Sequence, residues 1–251
     1  MIYRKSPEEI EIMRRGGAIH AETMNRLEEA LAPGVTTGEL DRLARQTMEA
    51  RDATPSFLGY RGFTGSICTS PNSVIVHGIP GDQALVDGDI ISIDVGVYYE
   101  GFHVDSAWTF PVGNVSSEAS ELLKVTEAAL DAAVAECRPG NRLGDVGFAV
   151  EQTAEGAGFS IVREYVGHGV GRALHEDPQI PNYGPAGRRE ILAPGMTLAI
   201  EPMVNAGEAG TKALADGWTV VTADGSLSAH FEHTVAITAE GHEIITHRGP
   251  R

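Results

Sequence analysis

Two stretches decide the fold: Gly88-Asp89-Ile90-Ile91-Ser92-Ile93-Asp94 and Gly195-Met196-Thr197-Leu198-Ala199-Ile200-Glu201. Each starts at a glycine, runs through apolar residues and ends in a carboxylate, and they stand 107 positions apart. Upstream, Gly38-Glu39-Leu40 and Gly144-Asp145-Val146 form a second match at an offset of 106. One such match is within reach of chance. Several in the same order at nearly one offset describe a duplicated unit.

The unit reads as two helices followed by strands. Ser6 with Glu9 makes a capping box and Pro7 takes the first helical position. Ile10, Met13, Gly17, Met24, Leu27 and Leu31 follow at roughly the spacing of one helical face. Pro33-Gly34 ends that helix, and Thr36 with Glu39 opens a second one carrying Leu40, Leu43 and Met48. In the later copy, a helix with Leu123, Leu130, Val134 and Cys137 stops at Pro139-Gly140. This order predicts a single pseudo-symmetric α+β domain over residues 1–251, with halves at about 6–112 and 113–240, and not a solenoid. Duplication would bring Asp94 and Glu201 to related positions about an internal axis, so a site is expected where the halves meet.

Composition narrows the function classes. No apolar run approaches the roughly 20 residues of a membrane helix. The N-terminus turns acidic where a signal peptide would turn apolar, so a cytoplasmic protein is expected. Two cysteines, Cys68 and Cys137, are too few for a disulfide framework and fit a reducing compartment. A net charge of −16 argues against a broad nucleic-acid surface. Acidity of this size is usually a solvated surface, and only position can tell whether some carboxylates bind metal instead.

Position is informative first at 89–110. Residues 89–99 and 102–110 read as strands across a Glu100-Gly101 turn, which sets Asp105 opposite Gly96 and diagonal to Asp94. Diagonal Cβ atoms lie roughly 7–8 Å apart or somewhat closer. Ile90, Ile91 and Ile93 predict burial, and a buried, unpaired carboxylate is costly. The hairpin alone leaves two readings, a pair of exposed edge-strand acids or a pair sharing a divalent cation.

A strand is expected at 159–166, followed by Gly167-His168-Gly169-Val170-Gly171-Arg172-Ala173-Leu174-His175. A dinucleotide-binding fingerprint fails here because Leu174 stands where the third glycine belongs. A zincin helix fails because Gln179 replaces its second histidine and Pro178 would break it. Two histidines in a glycine-rich loop are as readily structural as functional. Beyond an expected Asp224-Gly225 hairpin turn, Glu232 is placed in a strand with apolar neighbours, where alone it could be a surface acid. Taken together, four carboxylates and one histidine would make an oxygen-rich site suited to Mn²⁺, Fe²⁺, Co²⁺ or Zn²⁺, not a thiolate-bound metal.

Several motifs then converge: His77-Gly78-Ile79-Pro80, Asp94-Val95-Gly96, Asp105-Ser106, His168-Gly169-Val170-Gly171-Arg172 with His175-Glu176, Ile200-Glu201-Pro202 and Glu232-His233-Thr234. With these, the chain resembles the type I methionine aminopeptidases, a branch of the pita-bread (creatinase/aminopeptidase) metallopeptidase family M24, from about Ser6 to Thr238. The resemblance implies two helices and antiparallel strands in each half around a central dinuclear site. Asp94 would chelate one divalent ion, Asp105 and Glu232 would bridge both, and His168 and Glu201 would complete the second. Solvent held between the ions would be the nucleophile, with Glu201 as proton shuttle. His175 would hydrogen-bond the scissile amide and steady the oxyanion, and His77 would contact the substrate backbone. Tyr60, Phe63, Cys68, Leu174 and Trp218 would line the methionine pocket. Leu174 departs from the aromatic residue often found there, which bears on pocket width. The implied activity is removal of N-terminal methionine (methionyl aminopeptidase) from nascent chains with a small second residue, by a cytoplasmic monomer in transient contact with the ribosome. A proline-specific aminopeptidase or dipeptidase of the same fold, and a metal-free binding module, are the alternatives. The first usually carries an extra N-terminal domain; the second would lose ligands, and all five are present.

Overall fold

The computed structural model describes residues 1–249. Helix α1 (Pro7–Ala30) begins as its capping residues dictate: Ser6 Oγ accepts from the Glu9 N–H while the Glu9 carboxylate accepts from the Ser6 N–H. Thr36 and Glu39 form the same reciprocal pair ahead of α2 (Thr37–Glu49). Helices α3 (Ser117–Ala135) and α4 (Leu143–Gly156) repeat the arrangement. At α4 the Asp145 carboxylate accepts from the Arg142 N–H at 2.7 Å, whereas Arg142, a donor only, cannot return the bond. On α3 Leu122, Leu130 and Val134 are deeply buried, while Leu123 is half-buried and packs against the same core.

The duplication is visible bond by bond. The Gly34 N–H donates to the Leu85 carbonyl at 2.7 Å, and Gly140 to Leu192 at 3.0 Å. Gly38 donates to Gly81 at 2.7 Å, and Gly144 to Arg188 at 3.0 Å. Each helix pair is thus strapped by the segment that leads into the repeated strand.

Among the described residues, four small sheets complete the fold. The first holds β1 (Thr54–Pro55), β2 (Cys68–Pro71), β4 (Ile90–Tyr99) and β5 (Phe102–Pro111). Its counterpart holds β7 (Gly167–Gly169), β8 (Glu176–Ile180), β9 (Thr197–Ile200), β14 (His233–Ile237) and β15 (His242–Ile244). Two three-stranded sheets join β3 (Val74–Val76) to β11 (Thr211–Ala213) and β12 (Val220–Thr222), and β6 (Ser160–Ile161) to β10 (Met203–Asn205) and β13 (Ser228–His230). The β4–β5 hairpin pairs Gly96 with Asp105 and Asp94 with Ala107, the expected register. Its turn has Glu100 at φ 45° and Gly101 at φ 92°, the left-handed pair whose twist suits a two-residue hairpin. One core of buried residues, including Met24, Leu27, Ile91, Ile93, Leu130, Val150, Leu198 and Ile200, runs through both halves. This is a mixed helix–sheet architecture of the pita-bread type.

Three local expectations are corrected. The strand placed at 159–166 is only β6; after Val162 donates to the Met203 carbonyl the chain leaves the sheet, with Arg163 turned to Glu151 and Glu155 on α4. Asp224-Gly225 makes a turn but no hairpin, since β12 and β13 belong to different sheets. Glu232 lies between β13 and β14, not within a strand, because its N–H donates to the Ala107 carbonyl of β5 at 2.8 Å.

Candidate metal centre and adjoining apolar pocket

Asp94 and Asp105 come from the facing strands of the first hairpin, diagonal to each other across the Gly96–Asp105 pair. Glu201 directly follows β9, and His168 occupies the middle of β7, flanked by glycines. Those glycines are required by close approach. A Cβ on Gly167 would lie 2.4 Å from the Ala199 carbonyl oxygen, and one on Gly169 2.2 Å from that of Asp177. His168 Nδ1–H donates to the Gly169 carbonyl at 2.9 Å, which leaves Nε2 with its lone pair. Burial pushes the His168 pKa down to about 3, so the ring is neutral, and Nε2 stands 3.5 Å from Glu201 Oε1.

Hydroxyl groups stitch β5 to the segment bearing Glu232. The Asp105 N–H donates to Thr234 Oγ1 at 2.9 Å, and Thr234 Oγ1 donates to the Asp105 carbonyl at 2.8 Å. Ser106 Oγ donates to the Glu232 carbonyl. Thr109 Oγ1 donates to the His230 carbonyl and accepts from the His230 N–H, at 2.8 and 2.9 Å. Asp105 and Glu232 are therefore held from behind by one seam. Ligand atoms of Asp105, His168 and Glu232 all lie within 4.8 Å of one another. Asp94 joins them through Asp105, and Glu201 through His168. All five expected ligands line one cavity of about 730 Å³, together with His77 and His175.

The electrostatics demand a counter-charge. Burial raises the Asp94 pKa to about 6 and those of Asp105, Glu201 and Glu232 well above the carboxylate range; repulsion among them adds to the effect for Asp105 and Glu232. Asp94 Oδ1, Asp105 Oδ1 and Glu232 Oε1 are buried without a hydrogen-bond partner. Orphaned buried acceptors are rare in native proteins. Three beside one another, with a neutral imidazole lone pair, fit a hard divalent cation.

Next to the acids lies an apolar pocket. Phe57, Phe63, Cys68 and Leu174 form a buried cluster of their own, with Tyr60, Ile79 and Trp218 packed on it. Cys68 faces Asp94 across the β2–β4 pair, so the pocket abuts the carboxylates directly. Burial, with those acids beside it, pushes the Cys68 thiol up and keeps it protonated. His175 Nδ1 lies 2.9 Å from the Tyr60 hydroxyl. His77 adopts φ 60°, and Gly78 beside it would place a Cβ 2.0 Å from the Thr69 carbonyl oxygen. The loop bearing Leu174 and His175 is fixed by a buried Lys5–Glu176 ion pair, by Ala173 N–H donating to Glu176 at 3.1 Å and by His103 N–H donating to the Gly171 carbonyl at 2.6 Å.

Every residue singled out from the sequence thus lies at the cavity. Phe57, Tyr165 and Met203 also line it and His230 stands beside Glu201, none of them singled out from the sequence. His230 and Glu232 are two apart, so strand alternation could have linked them; Phe57 carries no local signal.

The metallopeptidase family M24 model matches residues 11–239. The chain belongs to metallopeptidase family M24. Within M24 it is 55% identical to methionine aminopeptidase 1 of Bacillus subtilis (strain 168), over 98% of this chain and 99% of that one. The crystal structure of methionine aminopeptidase from Rickettsia prowazekii superposes with a TM-score of 0.97 at 42% identity, covering 98% of this chain and 100% of that one. Prolidase from Pyrococcus furiosus shares the M24 fold at 24% identity and TM-score 0.79, but this chain covers only 66% of it. Divalent-metal chemistry goes with membership of M24.

Proposed function

We propose that this chain is a methionyl aminopeptidase, releasing N-terminal methionine from polypeptides whose second residue is small. The observation that carries the reading is the contact between two chemistries: buried, orphaned carboxylates on one side of Cys68 and an aromatic, thiol-lined pocket on the other. A flexible thioether suits such a pocket. Near full-length likeness to methionine aminopeptidases supports the same conclusion, and the partial coverage of prolidase does not favour the proline-specific alternative.

Asp94, Asp105, His168, Glu201 and Glu232 would hold two divalent ions, Mn²⁺, Fe²⁺, Co²⁺ or Zn²⁺. When bound, such ions supply Lewis acidity and lower the pKa of solvent. Glu201 takes a proton from attacking water and returns it to the departing amine. His175, steadied by Tyr60, donates to the carbonyl oxygen as charge develops there. His77 positions the substrate backbone, while Tyr60, Phe63, Cys68, Leu174 and Trp218 take the methionine side chain and exclude water from it.

Residues 1–251 are read as one catalytic domain with halves at about 6–112 and 113–240. Nascent N-termini, met as a cytoplasmic monomer in transient contact with the ribosome, are the proposed substrates. No helix among the described residues is long and apolar enough to cross a membrane.

The test is methionine release from Met-Ala-Ser, compared with hydrolysis of an X-Pro dipeptide, by metal-stripped protein resupplied with each ion. Release from the tripeptide alone, restored by two equivalents of metal, is expected. Preference for the dipeptide, or no metal binding, would reject the reading.

A further inference from the structure

Outside the residues assigned above, the strongest chemical feature is His230. Its ring is buried, and its backbone is clamped on both sides by the Thr109 hydroxyl. Its Nε2 has no hydrogen-bond partner, an expensive condition for a buried imidazole. That atom faces Glu201 Oε2 at 3.6 Å and Glu232 Oε2 at 3.9 Å. The other oxygen of Glu201, Oε1, faces His168 at 3.5 Å. Two imidazoles therefore straddle one carboxylate, each opposite a different oxygen.

A carboxylate that both meets a metal and moves a proton needs its plane fixed, and a buried donor on the far oxygen does this. We propose that His230 is a positioning residue whose Nε2–H donates to Glu201 Oε2, turning Oε1 towards His168 and the ions. A small side-chain adjustment would close 3.6 Å to a charge-assisted hydrogen bond, since catalytic contacts are often long in the free protein and tighten in the substrate complex. The inference rests on the assignment of Glu201 to the metal centre.

The experiment compares His230→Leu, which keeps bulk but removes the donor, with His230→Gln, whose terminal amide can reach the same oxygen. Each is stripped of metal, titrated calorimetrically with Co²⁺, and assayed on Met-Ala-Ser at saturating Co²⁺. Expected for the Leu variant are cobalt affinity and kcat each lower by about 10- to 100-fold, with KM little changed. The Gln variant should stay near the parent in both. If the Leu variant does not fold, His230→Asn, too short to reach Glu201, takes its place in the comparison. Parent-like values in the donor-free variant overturn the proposal, as does a Gln variant equally impaired. A Co²⁺ visible spectrum that loses a nitrogen donor in the Gln variant also overturns it, making His230 a ligand instead. Failure of the underlying assignment looks different: the parent itself would bind no Co²⁺.

Discussion

Glu201 Oε1 stands 3.5 Å from His168 Nε2, one residue sitting just past the end of β9 and the other within β7. In the proposed reaction that carboxylate both holds metal and carries a proton, and glutamine would keep its shape without the second capacity. Glu201→Gln is expected to lower kcat on Met-Ala-Ser by about 10²–10⁴-fold, the usual contribution of a positioned acid–base. A thermal melt should show the fold intact, and activity close to the parent's would remove Glu201 from the proton path.

The buried acids make stability depend on pH in a defined direction. Their folded pKa values are raised by burial, to about 6 for Asp94 and well above the ordinary carboxylate range for Asp105, Glu201 and Glu232. A raised acid contributes stability fully below its unfolded pKa, near 4, and loses it as pH rises through the folded value. His20, His77, His168 and His230 are depressed to about 3–4 by burial and act oppositely, but only below about 6.5. Above that, the carboxylates remain. Metal-stripped protein should therefore melt at falling temperature from pH 6.5 upward, and added Mn²⁺ should raise Tm more at pH 8 than at pH 6. Melts in the two buffers, with and without Mn²⁺, decide the point.

Leu174 packs in the apolar pocket where a bulkier side chain would narrow it. Leu174→Ala should weaken recognition of methionine. A loss of about 1–3 kcal/mol in kcat/KM is expected, carried mainly by KM. Steady-state kinetics on Met-Ala-Ser against Leu-Ala-Ser would register it as a reduced preference for methionine; an unchanged ratio would place the thioether elsewhere.

The Lys5–Glu176 pair is almost wholly buried, and Glu176 adjoins His175. Removing one partner leaves an uncompensated charge, at a cost of about 3–5 kcal/mol. Lys5→Met should lower the denaturant midpoint and, by loosening the His175 loop, also kcat. The double variant Lys5→Met, Glu176→Met should recover much of the stability. Denaturation with metal held constant measures both.

How much was legible in the sequence depended on how locally each feature is determined. The Asp94–Asp105 neighbourhood followed from Glu100-Gly101, because a two-residue turn fixes every pair above it. Helix starts followed from the Ser6–Glu9 and Thr36–Glu39 boxes, which close within one turn. Glu232 was given the wrong local structure because its backbone bonds to β5, far away along the chain. Phe57 and Tyr165 reach the cavity only through tertiary folding, and His230 gained meaning only once Glu201 stood beside it.

The hydroxyls of Ser106, Thr109 and Thr234 have a final consequence. Where a continuous ladder would let the strands slide or re-pair in another register, these side chains bond only with their own particular partners. They act as alignment pins, so the spacing between Asp105 and Glu232 is fixed by protein alone before any cation arrives. In the proposed metal centre the site would then be a preset gauge, favouring whichever ions match it.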